Sequence, residues 1–343
     1  MAKVPHEVVQ ENYLLKATFF FKKLADLEFI GIVERVKDIS ETHQTHTSWD
    51  KRTELGIAED AWKELAKHKV NAIRVFVHPN ILKTYPQLLK YYRCLALLPQ
   101  KGLQSLSGVS AVKSFEQNGR EIPDAQMLKL VVSINEFISS LILLNGWFKE
   151  EYLKALVYST AGTTIEGSWR NAIGEEGERV IKRILINGLG RNGEIDLFIM
   201  KNGSRVRNNG KEYEQVDENS IRTIVLSNSY QLTFKAEPDC TISDPSGTTV
   251  GGVEVKAGLD PAGALERLGA MLKSFDNIKQ AYPAAQTILV ASCITNEVEA
   301  RIRESHTVNY TYMLTDITLK KRDAEARFVN KVRELCGLTG KRL

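Results

Sequence analysis

The sequence predicts an α/β protein: a mixed central sheet flanked by helices in the C-terminal half, behind a mainly helical N-terminal region. Three observations carry this. Between residues 230 and 256, short segments alternate apolar and polar residues on either side of an Asp244-Pro245-Ser246-Gly247 turn, the period of two expected of paired strands. Downstream, helical spacing over 262–281 is followed by the nearly continuous apolar run Thr287 to Cys293, as in a strand buried on both faces. Upstream, residues 1–160 carry apolar positions mostly three and four apart.

In chain order, residues 8–38 read as a long helix, unbroken or broken once, with Val8, Leu14, Leu15, Phe19, Phe20 and Leu24 at helical spacing. A polar loop follows. It holds His43 and His46, which could share a helix face and a metal, but no Glu or Cys set lies nearby to complete the ligands. Ile57–His68 reads as a helix, and Asn71–His78 as a strand or buried extended segment stopped by Pro79. A helix from Ile81 to Leu98 ends at Pro99–Gly102, and Tyr91, Tyr92 and Arg93 within it read as packing residues. Leu128–Leu144 is a strongly apolar, buried helix closed by Asn145-Gly146. Composition loosens at Ala161–Thr164, which places a boundary between a helical region, 1–160, and a second region, 161–343.

The second region opens with a helix, Trp169–Leu185, acidic in its early turns and basic in its later ones, an order that complements the helix dipole. Gly193–Met200 alternates as a strand, and Lys201–Lys211 reads as a basic loop able to reach phosphates or base edges. Tyr230–Lys235 is a strand leading to Asp239. Cys240–Ser243 and Thr248–Val250 flank the turn, and Val253–Lys256 continues the alternation. A bend at Ala257–Pro261 precedes helix 262–281, the apolar strand 287–293, helix Asn296–Glu304, strand Val308–Leu314 and a last amphipathic helix from Lys320 to Leu335.

Chemistry concentrates at Pro238-Asp239 and Glu254-Val255-Lys256. The hairpin between them brings Asp239 near Glu254, and the period of two sends Glu254 and Lys256 to the same side of their strand. Two carboxylates and an ammonium form a set able to hold a hard divalent cation and act on a phosphodiester. Such cations take carboxylate oxygens and keep several waters. The lysine can orient or deprotonate an attacking water and offset charge on the transition state. Asp196 is the fallback for Asp239, since no Glu-x-Lys strand follows it at close range.

Pro238-Asp239 followed by Glu254-Val255-Lys256 resembles the motif of the PD-(D/E)XK nuclease superfamily, and the element order over about 165–318 resembles its αβββαβ core. The resemblance implies an endonuclease dependent on Mg²⁺, with Mn²⁺ able to substitute. Asp239 and Glu254 would ligate the metal, with the backbone carbonyl of Val255 as a further ligand, and Lys256 would activate water. Glu178 best matches a glutamate that such nucleases carry on the helix opening the core. Glu175 and Glu176 are alternatives, and dipole complementation accounts for all three equally well.

In the helical region, His78-Pro79, Tyr91-Tyr92-Arg93 and Pro99-Gln100-Lys101-Gly102 resemble type II restriction endonucleases of the XcyI and XmaI group. That implies double-stranded DNA as substrate, a G·C-rich palindrome such as CCCGGG, a C₂ homodimer, and a cognate methyltransferase in the host. The helical region would shape the DNA cleft or form dimer contacts. Two rival readings remain: a repair, recombination or mobile-element nuclease of the same fold, and a non-catalytic DNA-binding protein.

Composition bounds these readings. With 46 Lys and Arg against 42 Asp and Glu in 343 residues, the net charge is +4, so a DNA-binding surface must come from local clustering. The four cysteines, Cys94, Cys240, Cys293 and Cys336, lack the paired spacing of a structural zinc site. There is no phosphate-binding loop of the G-x-x-x-x-G-K-[ST] kind, so ATP-driven translocation is not implied. No basic leader followed by an apolar stretch opens the chain, and no segment is read as reaching the ~20 apolar residues of a span, the nearest approach being Leu141–Leu144. The expectation is a soluble protein of a bacterial or archaeal cytoplasm.

Overall fold

The computed structural model describes residues 6–43, 47–145, 149–235, 237–260 and 263–338; His46, Gly146, Pro261 and Ala262 lie outside them. The chain divides into two compact units, residues 15–169 and residues 170–343 with 1–14.

Helices occupy the first stretch of chain: α1 (His6–Asp26), α2 (Ile32–His43), α3 (Glu59–Lys67), α4 (Pro79–Thr84), α5 (Leu89–Leu95), α6 (Gln100–Ser107), α7 (Val112–Asn118), α8 (Asp124–Asn145) and α9 (Glu150–Arg191). The long N-terminal helix is broken once, where Gly31 takes φ +76°, a value open to glycine without strain. α8 is apolar over Asp124–Leu144, with a mean hydropathy of 1.8, so by length and composition it could cross a membrane, which the short uninterrupted runs did not reveal. Its place explains the composition: it packs against α3, α4, α5 and α6, with Leu130, Val131, Ile134 and Ile138 buried in the core.

Asn71–His78 is buried but is not a strand. A short 3₁₀ turn, Ala72–Arg74, begins it, and among the described residues no strand of this unit lies beside it. Its own turn pairs the N–H groups of Arg74, Val75 and Phe76, and side chains satisfy other backbone groups. Tyr91 and Tyr92 hydroxyls donate to the carbonyls of Arg74 and Ile73 at 2.6 and 2.7 Å. Asn135 accepts from the Val77 N–H and donates to the Val77 and Leu55 carbonyls, each at 2.9 Å. A buried, irregular segment thus meets the requirement that backbone polar groups be paired, without a sheet. Arg93 packs as expected, in a buried two-pronged pair with Glu116.

α9 runs without a break through Ala161–Thr164, and the helix read from Trp169 is its second half. The hydroxyls of Thr160, Thr163, Thr164 and Ser168 turn back onto carbonyls four residues earlier, and Gly162 and Gly167 face open space. Small polar residues therefore sit in the helix without offering the chain a better alternative.

Among the described residues, the strands form one eight-stranded sheet: β1 (Ile195–Met200), β2 (Arg205–Arg207), β3 (Ile221–Leu226), β4 (Gln231–Phe234), β5 (Cys240–Ser243), β6 (Thr249–Lys256), β7 (Gln286–Ala291) and β8 (Tyr310–Met313). The order is β2-β1-β3-β4-β5-β6-β7-β8. Pairing is antiparallel from β2 through β6 and parallel from β6 to β8. The antiparallel part is larger than the sequence reading had it. β2 lies within the expected basic loop, and β3, whose Ile221, Ile224 and Leu226 are buried, was not anticipated.

The remaining helices are α10 (Glu212–Gln215), α11 (Ala264–Ala281), α12 (Asn296–Ser305), α13 (Leu314–Thr318) and α14 (Ala324–Leu335). Alternation in the parallel strands divides the core. Ile288 and Val290 join Val253 and Val255 against Ile181 and Leu185 of α9 and Phe328 and Val332 of α14. Leu289 and Ala291 join Leu268, Met271 and Phe275 of α11 on the other face. The mixed α/β architecture behind a helical region is therefore present.

Candidate active site

The β5–β6 hairpin sets the site. Its turn is held by Asp244, whose Oδ1 accepts from the N–H groups of Ser246 and Thr248 at 2.9 Å each, while Gly247 takes φ +87°. The register pairs Cys240 with Val253, so the residue before β5, Asp239, arrives beside Glu254. Because β5 has ended, the Val255 N–H on that side goes to the Asp239 carboxylate at 2.6 Å. Glu254 and Lys256 share the side of β6 that faces α11. Lys256 Nζ lies 2.6 Å from Glu254 Oε1, and Ser274 of α11 donates to Glu254 Oε2 at 3.5 Å.

Both carboxylates are removed from water, Asp239 at 9% exposure and Glu254 at 3%. Burial pushes the Asp239 carboxyl up to about 7, with the Glu254 charge as the next contribution; Lys256 and the Val255 hydrogen bond pull it back only in part. The site thus carries more buried negative charge than its own lysine compensates.

Glu178 comes from α9. A Cβ at Gly177 would lie 2.3 Å from Ala257 Cβ, so only glycine lets the helix approach the end of β6 this closely, and the next residue stands at the edge of the site. Its carboxyl, still open to solvent, is raised first by partial burial, is lowered by Lys256 and is raised by Glu254. Glu175 lines the same pocket, whereas Glu176 is occupied by Arg179 at 2.5 Å. The structure therefore brings Asp239, Glu254, Lys256 and Glu178 within electrostatic reach of one another.

Other candidates lie elsewhere. Asp196 is exposed on β1, which β3, β4 and β5 separate from β6. Its neighbour Glu194 is held in a buried two-pronged pair by Arg333. His43 contacts the Tyr85 hydroxyl at 3.4 Å. Arg205 and Arg207 are exposed on the edge strand β2.

A cavity of about 460 Å³ opens beside Asp239, between α9 and the sheet. Lys182 lines it, and the sequence reading missed this residue. Its only available signal was the four-residue spacing from Glu178, which places both on one helical face.

The donor set suits a hard divalent cation. It offers carboxylate oxygens whose mutual repulsion such an ion would relieve. Among the described residues no three His, Cys, Asp or Glu side chains gather closely enough to form a protein cage. Two carboxylates plus water is the pattern of an ion that keeps part of its hydration shell and binds substrate phosphate.

Comparison with known proteins fits this chemistry. The model of the XcyI restriction endonuclease family matches residues 49–194 and 205–339. The type II restriction enzyme Cfr9I of Citrobacter freundii is 24% identical over 287 residues, 80% of this chain and 81% of that enzyme. With most of its length matched by the family model, the chain belongs to the XcyI restriction endonuclease family and is a site-specific deoxyribonuclease.

Proposed function

We propose that the chain is a Mg²⁺-dependent type II restriction endonuclease with a PD-(D/E)XK site, Mn²⁺ being able to substitute, that cuts both strands of a G·C-rich palindrome such as CCCGGG. The observation that carries the site assignment is the buried Asp239–Glu254 pair at the end of β6, with Lys256 against Glu254. Asp239, Glu254 and the Val255 carbonyl would hold the cation, which when bound supplies Lewis-acid polarisation of the phosphate and a more acidic water.

The chain's own groups do the rest. The Val255 N–H fixes the Asp239 carboxylate, and Glu254 fixes the Lys256 ammonium. Lys256 positions and activates the attacking water and offsets negative charge developing on the phosphate oxygens. Glu178, at the edge of the site, assists from α9. Water adds to phosphorus as the phosphorus–oxygen bond of the strand breaks, leaving a phosphate on one end and a hydroxyl on the other.

Cutting both strands of a palindrome calls for two such sites related by the dyad, hence a C₂ homodimer. Catalysis is placed in residues 161–343, and cleft or dimer contacts in residues 1–160. The enzyme would act in the host cytoplasm, beside a cognate methyltransferase that protects host DNA.

The test is digestion of a large natural DNA with purified protein and Mg²⁺, beside Lys256→Ala and a metal-free control. Discrete fragments absent from both controls support the reading, and their ends define the site. A smear points to a repair or mobile-element nuclease, and intact DNA that still shifts on a gel points to a binding protein.

A further inference from the structure

The cavity beside Asp239 is lined by the carboxylates of Asp239, Glu178, Glu175 and Glu218 and by the lysines Lys182, Lys201 and Lys235. Four basic residues touch it, yet the fourth, Arg179, is bound by Glu176 and Glu218. The three lysines form no salt bridge with a carboxylate among the described residues. Lys201 and Lys235 are exposed, on residues that directly follow β1 and β4.

Lys182 is different. It is 8% exposed, donates to the Ile221 carbonyl at 2.5 Å, and sits 4.3 Å from the centroid of the Phe234 ring. An ammonium has three donors, so two remain after the Ile221 bond. Burial, and secondly the nearby Lys201 charge, lower its pKa to about 8. A buried cation beside a second cation, with Asp217 and Glu218 acting on it only through space and no carboxylate in direct contact, is an arrangement that a bound anion would relieve.

Resting on the nuclease reading, we propose that Lys182, Lys201 and Lys235 form a seat for the backbone phosphate next to the one attacked, with Lys182 as the positioning residue. The seat shares its cavity with Asp239 and Glu178, so a strand held at the seat is held in register with the reacting phosphate. A misplacement of about 1 Å can cost roughly a hundredfold in rate, which is why a residue off the chemistry can govern it.

The experiment combines a variant with a neutralised phosphate. Duplexes carrying the mapped site receive a methylphosphonate at one backbone position at a time, and single-turnover cleavage is measured for wild type and Lys182→Met. Lys182→Met is expected to slow cleavage about tenfold to a hundredfold, the range for one charge-assisted hydrogen bond. One methylphosphonate flanking the cut should slow wild type comparably and slow Lys182→Met no further. Additive effects at every position overturn the seat.

If Lys182→Met does not fold, Lys201→Gln/Lys235→Gln, altered at exposed positions, takes its place with the same expected non-additivity. A second arm keeps the seat separate from the nuclease reading. In EDTA, the slope of log affinity against log salt for natural duplex DNA should fall by about one in the variant. An unchanged slope overturns the seat even if cleavage is confirmed, whereas a reduced slope in a protein that shows no Mg²⁺-dependent cleavage sustains phosphate binding at the lysines and removes the proposed catalytic site.

Discussion

Replacing Asp239 with asparagine should stabilise the metal-free protein while destroying its activity, and the gain should depend on pH. The Asp239 carboxyl titrates near 7 in the fold against an ordinary 3.8, chiefly because it is buried and secondly because Glu254 repels its charge. A folded-state pKa raised in this way means that the native protein holds the proton more tightly than the unfolded chain. Stability from this group is therefore fully present below pH 4 and is lost as pH rises through 7. At pH 8 the ionised Asp239 costs up to about 4 kcal/mol, at about 1.4 kcal/mol per tenfold change in proton affinity; sharing of charge with Glu254 leaves about 2 to 4 kcal/mol. Asparagine never bears that charge and can still accept the Val255 N–H. Urea unfolding in EDTA should place Asp239→Asn above wild type at pH 8, with the gap well under half as large at pH 5. Divalent metal should raise the wild-type midpoint at pH 8 and leave the variant unmoved, with protons released on binding below pH 7. A variant no more stable than wild type at pH 8, or a gap equal at both pH values, would refute the reasoning.

Other perturbations separate site from scaffold. Lys256→Met should reduce single-turnover cleavage about 10²- to 10⁴-fold, the range for a lost acid–base group, without weakening DNA retention in a filter assay. Gly177→Ala places a methyl against Ala257, which cannot swing away; overpacking of about 1–3 kcal/mol should appear in urea unfolding, with slower cleavage as Glu178 is displaced. Arg93→Met strands the buried Glu116 carboxylate in the helical unit, so a loss of about 3–5 kcal/mol is expected by the same unfolding measurement.

The convergence of the candidate site residues was legible because they are close in sequence. Glu254 lies fifteen positions after Asp239, and the Asp244–Gly247 turn announces the hairpin that closes the distance. Period two alone put Glu254 and Lys256 on one side. Lys182 was not legible, because its position depends on β3 supplying the Ile221 carbonyl and on β4 supplying Phe234, and β3 itself had gone unread. Ser274 is likewise a contact made only when α11 folds over β6. Nor could composition reveal that α9 continues through Ala161–Thr164, since the serine and threonine hydroxyls settle onto its own backbone. Asn71–His78 misled for the opposite reason: its pattern is that of a strand, but its hydrogen-bond partners are side chains of α5 and α8.

The placement of the candidate site is a by-product of ordinary core packing. Val253 and Val255, at 0% and 5% exposure, are buried against α9 and α14, and burial of a valine stabilises by about 1.5–3 kcal/mol each. A slip of β6 by one residue would turn both valines toward α11 and drive Glu254 and Lys256 into the apolar core. The valines therefore fix where the charged pair points, although they take no part in the chemistry. The same register leaves the Val255 N–H beyond the end of β5, and Asp239 supplies the acceptor that the missing strand would have offered. One hydrogen bond both ends the ladder and anchors the carboxylate. Extending β5 by a residue would thus remove the acceptor role that holds Asp239 beside Glu254, so the hairpin's early end helps build the candidate site.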